Sequence, residues 1–129
     1  MKIRLASAVL ILGALVLAQD KLGAGSYKGT WSGAAAGGDF HFVLRTDGHG
    51  KMAAEVGFTF NGEEIPCKLI SLKVEGANLA MVYEFDLQGN KLQSAAQGML
   101  RGEALEGTYK TTAGDTPVDE GSWKAAAQR

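Results

Sequence analysis

The chain has 129 residues, 46% of them hydrophobic and 21% charged, which is the size and composition of one globular domain. Eighteen glycines against two prolines argue against a coiled coil and against a Pro-rich disordered chain. A formal charge of −1 with a pI near 6.1 excludes an obvious nucleic-acid binder.

The first element in the chain is an address. Lys2 and Arg4 precede an uncharged, mostly apolar stretch from Leu5 to Leu17, and Val16 and Ala18 stand at −3 and −1 before Gln19. This is the pattern of a cleaved secretory signal peptide over residues 1–18, which leaves 19–129 as a single domain, secreted or periplasmic. The apolar run falls short of the roughly 20 residues a membrane span needs, and no cysteine follows it, as a lipoprotein would require. So short and simple a signal fits a bacterial source. Cleavage removes two of the 13 basic residues and none of the 14 acidic ones, taking the formal charge from −1 to −3. Export permits disulfides, but Cys67 stands alone and reads as a small apolar side chain between Ile65 and Leu69.

Beyond the signal, the recurring pattern is alternation with a period of two. Phe40, Phe42 and Leu44 share one parity; so do Met52, Ala54, Val56, Phe58 and Phe60, and again Leu79, Met81, Tyr83 and Phe85, with mostly polar residues between them. Half-buried antiparallel strands produce this pattern. Turn signals recur at Gly37-Gly38, Asp47-Gly48, Asn61-Gly62, Glu75-Gly76, Gln88-Gly89, Arg101-Gly102 and Gly114-Asp115. They predict eight strands, at about 26–33, 39–46, 51–60, 63–74, 78–87, 91–100, 103–112 and 118–125. The fourth changes phase, because Ile65, Cys67 and Leu69 have one parity and Ile70, Leu72 and Val74 the other; a bulge at Leu69–Ser71 would repair it.

Eight antiparallel strands with short links favour closure, since an open sheet leaves two bare edges. The expected fold is all-β, an eight-stranded antiparallel up-and-down β-barrel. A barrel of this size is filled by side chains or holds one small ligand. The competing reading is an outer-membrane barrel, because alternation alone does not say which face points inward. Short turns, the lack of two aromatic girdles and the terminal Ala-Ala-Ala-Gln-Arg weigh against it.

Gly29-Thr30-Trp31, followed by Phe40, Phe42-Val43 and Asp47-Gly48, resembles the opening of calycin barrels of the lipocalin and avidin/streptavidin type, whose first strand carries G-x-W. The likeness covers about twenty residues and continues only as a strand pattern. It implies a small barrel that binds in its interior. It does not carry over biotin: Gly33 stands where the family's biotin site has an Asn, and the family's box of several tryptophans is reduced to Trp31 and Trp123.

No catalytic constellation appears, and no enzyme is expected. There is no G-x-S-x-G, no H-E-x-x-H and no cysteine with a plausible histidine neighbour. Glu63 and Glu64 are adjacent and point to opposite faces of a strand. The glycine-rich stretch 33–38 lacks the Lys-Ser/Thr of a phosphate loop. Asp39 and His41 share a face, but His49 lies beyond the next turn, and a zinc site wants three or four convergent ligands; no metal or other cofactor is expected.

The phenylalanines carry the functional expectation. Phe40, Phe42, Phe58, Phe60 and Phe85 lie toward the end of the meander that holds the first, third, fifth and seventh turns, or near its middle, while Leu44, Met52, Leu72, Leu79, Leu100 and Leu105 lie toward the other. Small residues such as Ser94, Ala96, Gly98, Gly107 and Gly121 face them, an arrangement that either fills a tapering core or leaves an aromatic-walled groove. The expected ligand is a small apolar molecule held by Phe42, Phe58, Phe60 and Phe85, with Tyr83 or Tyr109 offering a hydroxyl. The alternative is a non-enzymatic interaction module, such as an inhibitor of an exported hydrolase, that presents its turns or the arm 19–26 to an exported protein partner. On either reading, nucleic acid and stable membrane insertion after cleavage are not expected.

Overall fold

Apolar residues at every second position can all be buried only if the chain runs extended, and the described residues do so almost throughout. The structure is a computed structural model that describes residues 22–128; the signal-peptide reading and its cleavage site lie outside them. Nine strands form one antiparallel sheet: β1 (Gly25–Gly33), β2 (Gly37–Thr46), β3 (Met52–Phe60), β4 (Glu63–Pro66), β5 (Lys68–Glu75), β6 (Asn78–Leu87), β7 (Asn90–Arg101), β8 (Ala104–Ala113) and β9 (Thr116–Ala127). Their order is β4-β3-β2-β1-β9-β8-β7-β6-β5.

The two outermost strands of that order, β4 and β5, are successive stretches of chain separated by Cys67 alone. The Cys67 N–H still donates to the Val56 carbonyl, at 3.3 Å, and β5 also lies against β3. The sheet is therefore curled and barrel-like. First and last strands pair along its middle, with Trp31 opposite Trp123.

The count of nine corrects the expected eight. The stretch expected as one strand over 63–74 is divided at Cys67, where the chain changes neighbour; its first part pairs with β3 and its second with β6. The phase change in this stretch is a bulge, with a register shift between Leu69 and Ser71 that leaves Ile70 half-exposed and returns Leu72 and Val74 to the packed face.

Two turns also differ from expectation. Gly37 and Gly38 belong to β2, and the turn before it runs over residues 34–36, with Gly33 N–H bonded to the Ala36 carbonyl. Between β2 and β3 the left-handed residue is Gly50 (φ 82°) rather than Gly48, because the Asp47 carboxylate accepts from the N–H groups of His49 and Lys51 and shapes a longer loop. Asn61-Gly62 and Gln88-Gly89 have positive φ at both residues, as a two-residue hairpin turn with the right twist demands.

The apolar parity faces inward. Phe42, Leu44, Leu79, Met81 and Leu105 are the most deeply buried large side chains, and Phe40, Val56, Phe58, Tyr83, Phe85 and Trp123 pack with them. Each such side chain contributes about 1.5–3 kcal/mol of transfer free energy. At the end holding the β2–β3, β5–β6 and β7–β8 turns, Leu22 folds across the opening; it is 5% exposed, and its N–H donates to the Gly76 carbonyl at 2.9 Å. That end is packed with aliphatic side chains and the Tyr27 ring, whose hydroxyl donates to the Gly23 carbonyl at 2.8 Å, which leaves the opposite end to be considered.

Candidate functional site

The turns β1–β2, β3–β4, β6–β7 and β8–β9 gather at the other end, where the inward parity supplies mostly aromatic rings. Trp31 of β1 is fixed by its indole N–H, which donates to the Thr59 carbonyl across β2 at 2.9 Å. Its ring stacks on Phe60 (centroids 6.4 Å apart) and meets Phe58 and Tyr109 edge-on, at 5.9 and 6.1 Å. Phe85 of β6 packs edge-on against Phe58 at 4.9 Å. Such ring pairs hold one another in place beyond simple area burial.

These rings wall a cavity of about 470 Å³ that opens between the turns. Leu87, Leu92 and Val118 extend the apolar wall toward the lip, where Ala35, Ala36 and Asn61 border the opening, and Phe40 lies beneath. A volume of this order suits a small molecule.

Polar groups enter the cavity in two places. Deep on one side, the Ser94 and Thr111 hydroxyls are bonded to each other at 2.6 Å, and the Tyr83 hydroxyl bonds to Ser94 below. Near the lip, the Tyr109 hydroxyl donates to Asp119 Oδ2 at 2.7 Å, while Asp119 Oδ1 accepts the Ala34 N–H at 3.3 Å. Burial pushes the Tyr109 hydroxyl well above its ordinary value of 10, and the Asp119 hydrogen bond and charge push it further; it is a neutral donor at any physiological pH. Tyr83 is raised by burial first and then by the neighbouring Cys67, against an opposing contribution from Ser94.

Gly33 makes room for the lip pair. A Cβ there would fall 2.5 Å from both the Tyr109 hydroxyl and Asp119 Oδ2. A carboxylate from β9 fills the space that the missing side chain leaves.

Of the residues expected at a site, Phe58, Phe60, Phe85 and Tyr109 line this cavity. Phe42 and Tyr83 do not. Phe42 is fully buried, stacked on Tyr27 at 4.9 Å and edge-on to Trp123, and Tyr83 lies below the Ser94 hydroxyl. Sequence reasoning passed over Trp31, Leu87, Leu92 and Asp119. The available signal was parity: Asp119 is in step with Gly121, Trp123 and Ala125, so a carboxylate two residues before an inward run also points inward.

The other chemistry-bearing residues are dispersed. His41 Nε2 lies 2.8 Å from Glu64 Oε2 on the outer face, over Gly57. Among the described residues, no three His, Cys, Asp or Glu side chains are grouped to hold a metal ion. The Cys67 thiol is pushed up to about 12, by burial first and then by the Glu64 carboxylate, so it is no ready nucleophile. Comparison with models of known families, with curated proteins and with solved structures finds no match to this chain.

Proposed function

We propose that this is an exported binding protein, an eight-stranded barrel if the bent β4–β5 stretch counts as one strand, that holds a small, largely apolar molecule in the cavity at its ring-lined end. The observation that carries the reading is the contrast between the two ends. Leu22, Tyr27 and other buried side chains fill one, whereas the other keeps about 470 Å³ open behind Trp31, Phe58, Phe60 and Phe85. A chain selected for stability alone gains by filling such space, since each void removes packing contacts. Apolar walls with a few convergent polar groups are the usual make-up of a small-molecule site. Cleavage before Gln19 would retain Leu22, and intact mass of the exported protein tests that part of the reading.

The binding test uses a neutral hydrophobic fluorophore such as N-phenylnaphthylamine, titrated into the purified mature chain. The expected result is saturable binding with quenching of tryptophan emission, because Trp31 forms one wall. Ala36 is exposed at the lip, so Ala36→Trp should lay an indole over the opening and weaken binding about tenfold or more without loss of fold. Glu55→Ala, on the outer face, should bind as the parent does. A parent that binds nothing, or an Ala36→Trp variant that binds equally well, overturns the proposal.

A further inference from the structure

The charge lining the cavity points to a narrower class of ligand. Asp119 is the one acidic side chain on the wall, and among the described residues no Lys, Arg or His lines it. Among the described residues Arg45 pairs with Glu55 and Lys73 with Glu75, and His41 is hydrogen-bonded to Glu64, all on the outer face; none of these groups reaches Asp119. The carboxylate is held by the Tyr109 hydroxyl and the Ala34 N–H, one bond to each oxygen. A carboxylate can accept about four hydrogen bonds, so acceptor capacity is left over. Gly33 keeps clear the space in which it sits. Within the same cavity, the Trp31, Phe60 and Phe85 rings line the wall, and the face of an aromatic ring is electron-rich. A fixed negative charge beside aromatic faces, with no cation to neutralise it, attracts an organic cation and repels an anion.

We propose that the cavity selects amphiphilic amines, molecules with an apolar or aromatic body and a protonated amine that reaches Asp119. The inference rests on the reading of the cavity as a ligand site and adds the charge of the ligand. The apolar body lies against Phe58, Phe85 and Leu92. The ammonium group sits at the lip, donating to Asp119 and facing the Trp31 ring, and its hydrocarbon end displaces water from the rest of the wall. The ligand's charge remains partly hydrated, so selectivity costs little desolvation.

The test compares three probes of nearly equal shape, naphthylmethylamine, naphthylmethanol and naphthoic acid, by calorimetry at a pH of about 7.5, where they are cationic, neutral and anionic. The expected order is amine, then alcohol, then acid, with the amine about tenfold tighter than the alcohol. Asp119→Asn should bring amine and alcohol to within about twofold of each other while the alcohol binds as before. Raising the ionic strength from about 0.05 M to about 1 M should weaken the amine and spare the alcohol. Circular dichroism of the variant shows whether it is folded, and the salt series on the parent decides the matter if it is not. Equal binding of amine and alcohol by the parent, with no salt dependence, overturns the charge inference and leaves the apolar site standing. Failure of all three probes to bind overturns both.

Discussion

Phe42 and Phe60 have the same chemistry and the same inward parity, yet they do different work. Phe42 is fully enclosed, stacked on Tyr27 and set edge-on to Trp123, whereas Phe60 lies half-buried at the lip against Trp31. Truncating a closed ring leaves a hole the surrounding strands cannot collapse into, so Phe42→Ala should cost about 3–5 kcal/mol in urea unfolding. Phe60→Ala opens onto solvent and should cost distinctly less than Phe42→Ala, while weakening the hydrophobic probe. Equal costs would mean that the cavity is closed in solution. Parity assigned both rings to the interior correctly, but it is a statement about faces. How deep each ring lies is set by where its strand sits along the curled sheet.

At the scale of elements, the loop between β2 and β3 separates local propensity from the geometry that prevails. Asp47-Gly48 is a strong two-residue hairpin signal. The Asp47 side chain instead takes two backbone N–H groups, from His49 and Lys51, and the chain turns at Gly50 with φ 82°. Gly50→Ala should therefore cost about 1–2 kcal/mol, the penalty for a Cβ in left-handed backbone. Gly48→Ala should stay within about 0.5 kcal/mol, since its φ is ordinary and a Cβ there meets nothing. Reversal of the two values in paired denaturation curves would restore the simple hairpin. The β4–β5 stretch shows the complementary case. Its bulge was legible, because a change of parity between Leu69 and Leu72 can be absorbed only by an unpaired residue. Its division at Cys67 was not, because it arises where one stretch of chain passes from pairing with β3 to pairing with β6.

Over the whole molecule, the buried acids favour the neutral pH range. Burial raises Tyr27, Tyr83 and Tyr109 from an ordinary value of 10.0, and Cys67 from 9.0 to about 12. Above pH 9 the unfolded chain gives up these protons before the folded one does, so the unfolded state binds fewer protons and stability falls as pH rises. The contribution is fully present below about pH 9 and drains away toward pH 12. Urea midpoints should be flat from about pH 7 to 8.5 and then decline, and the decline should be shallower in Cys67→Ala than in the parent. A midpoint that holds level up to pH 11 would mean these groups are exposed.

The all-β character, most of the strand positions, the bulge and the ring-rich end follow from the sequence by itself, because a period of two and the residues that permit a turn are local properties, readable from neighbours two or three positions apart. The tertiary structure decided what depends on distant chain meeting. Curling the sheet brought its two edges, β4 and β5, together, and the pairing of β1 with β9 set Trp31 opposite Trp123. It sank Phe42 and Tyr83 below the cavity that Phe58, Phe60, Phe85 and Tyr109 line. It also carried Asp119 of the β8–β9 hairpin to the Ala34 N–H, over the space left by Gly33. Volume and charge in a cavity are sums over strands far apart in sequence, and no local pattern contains them.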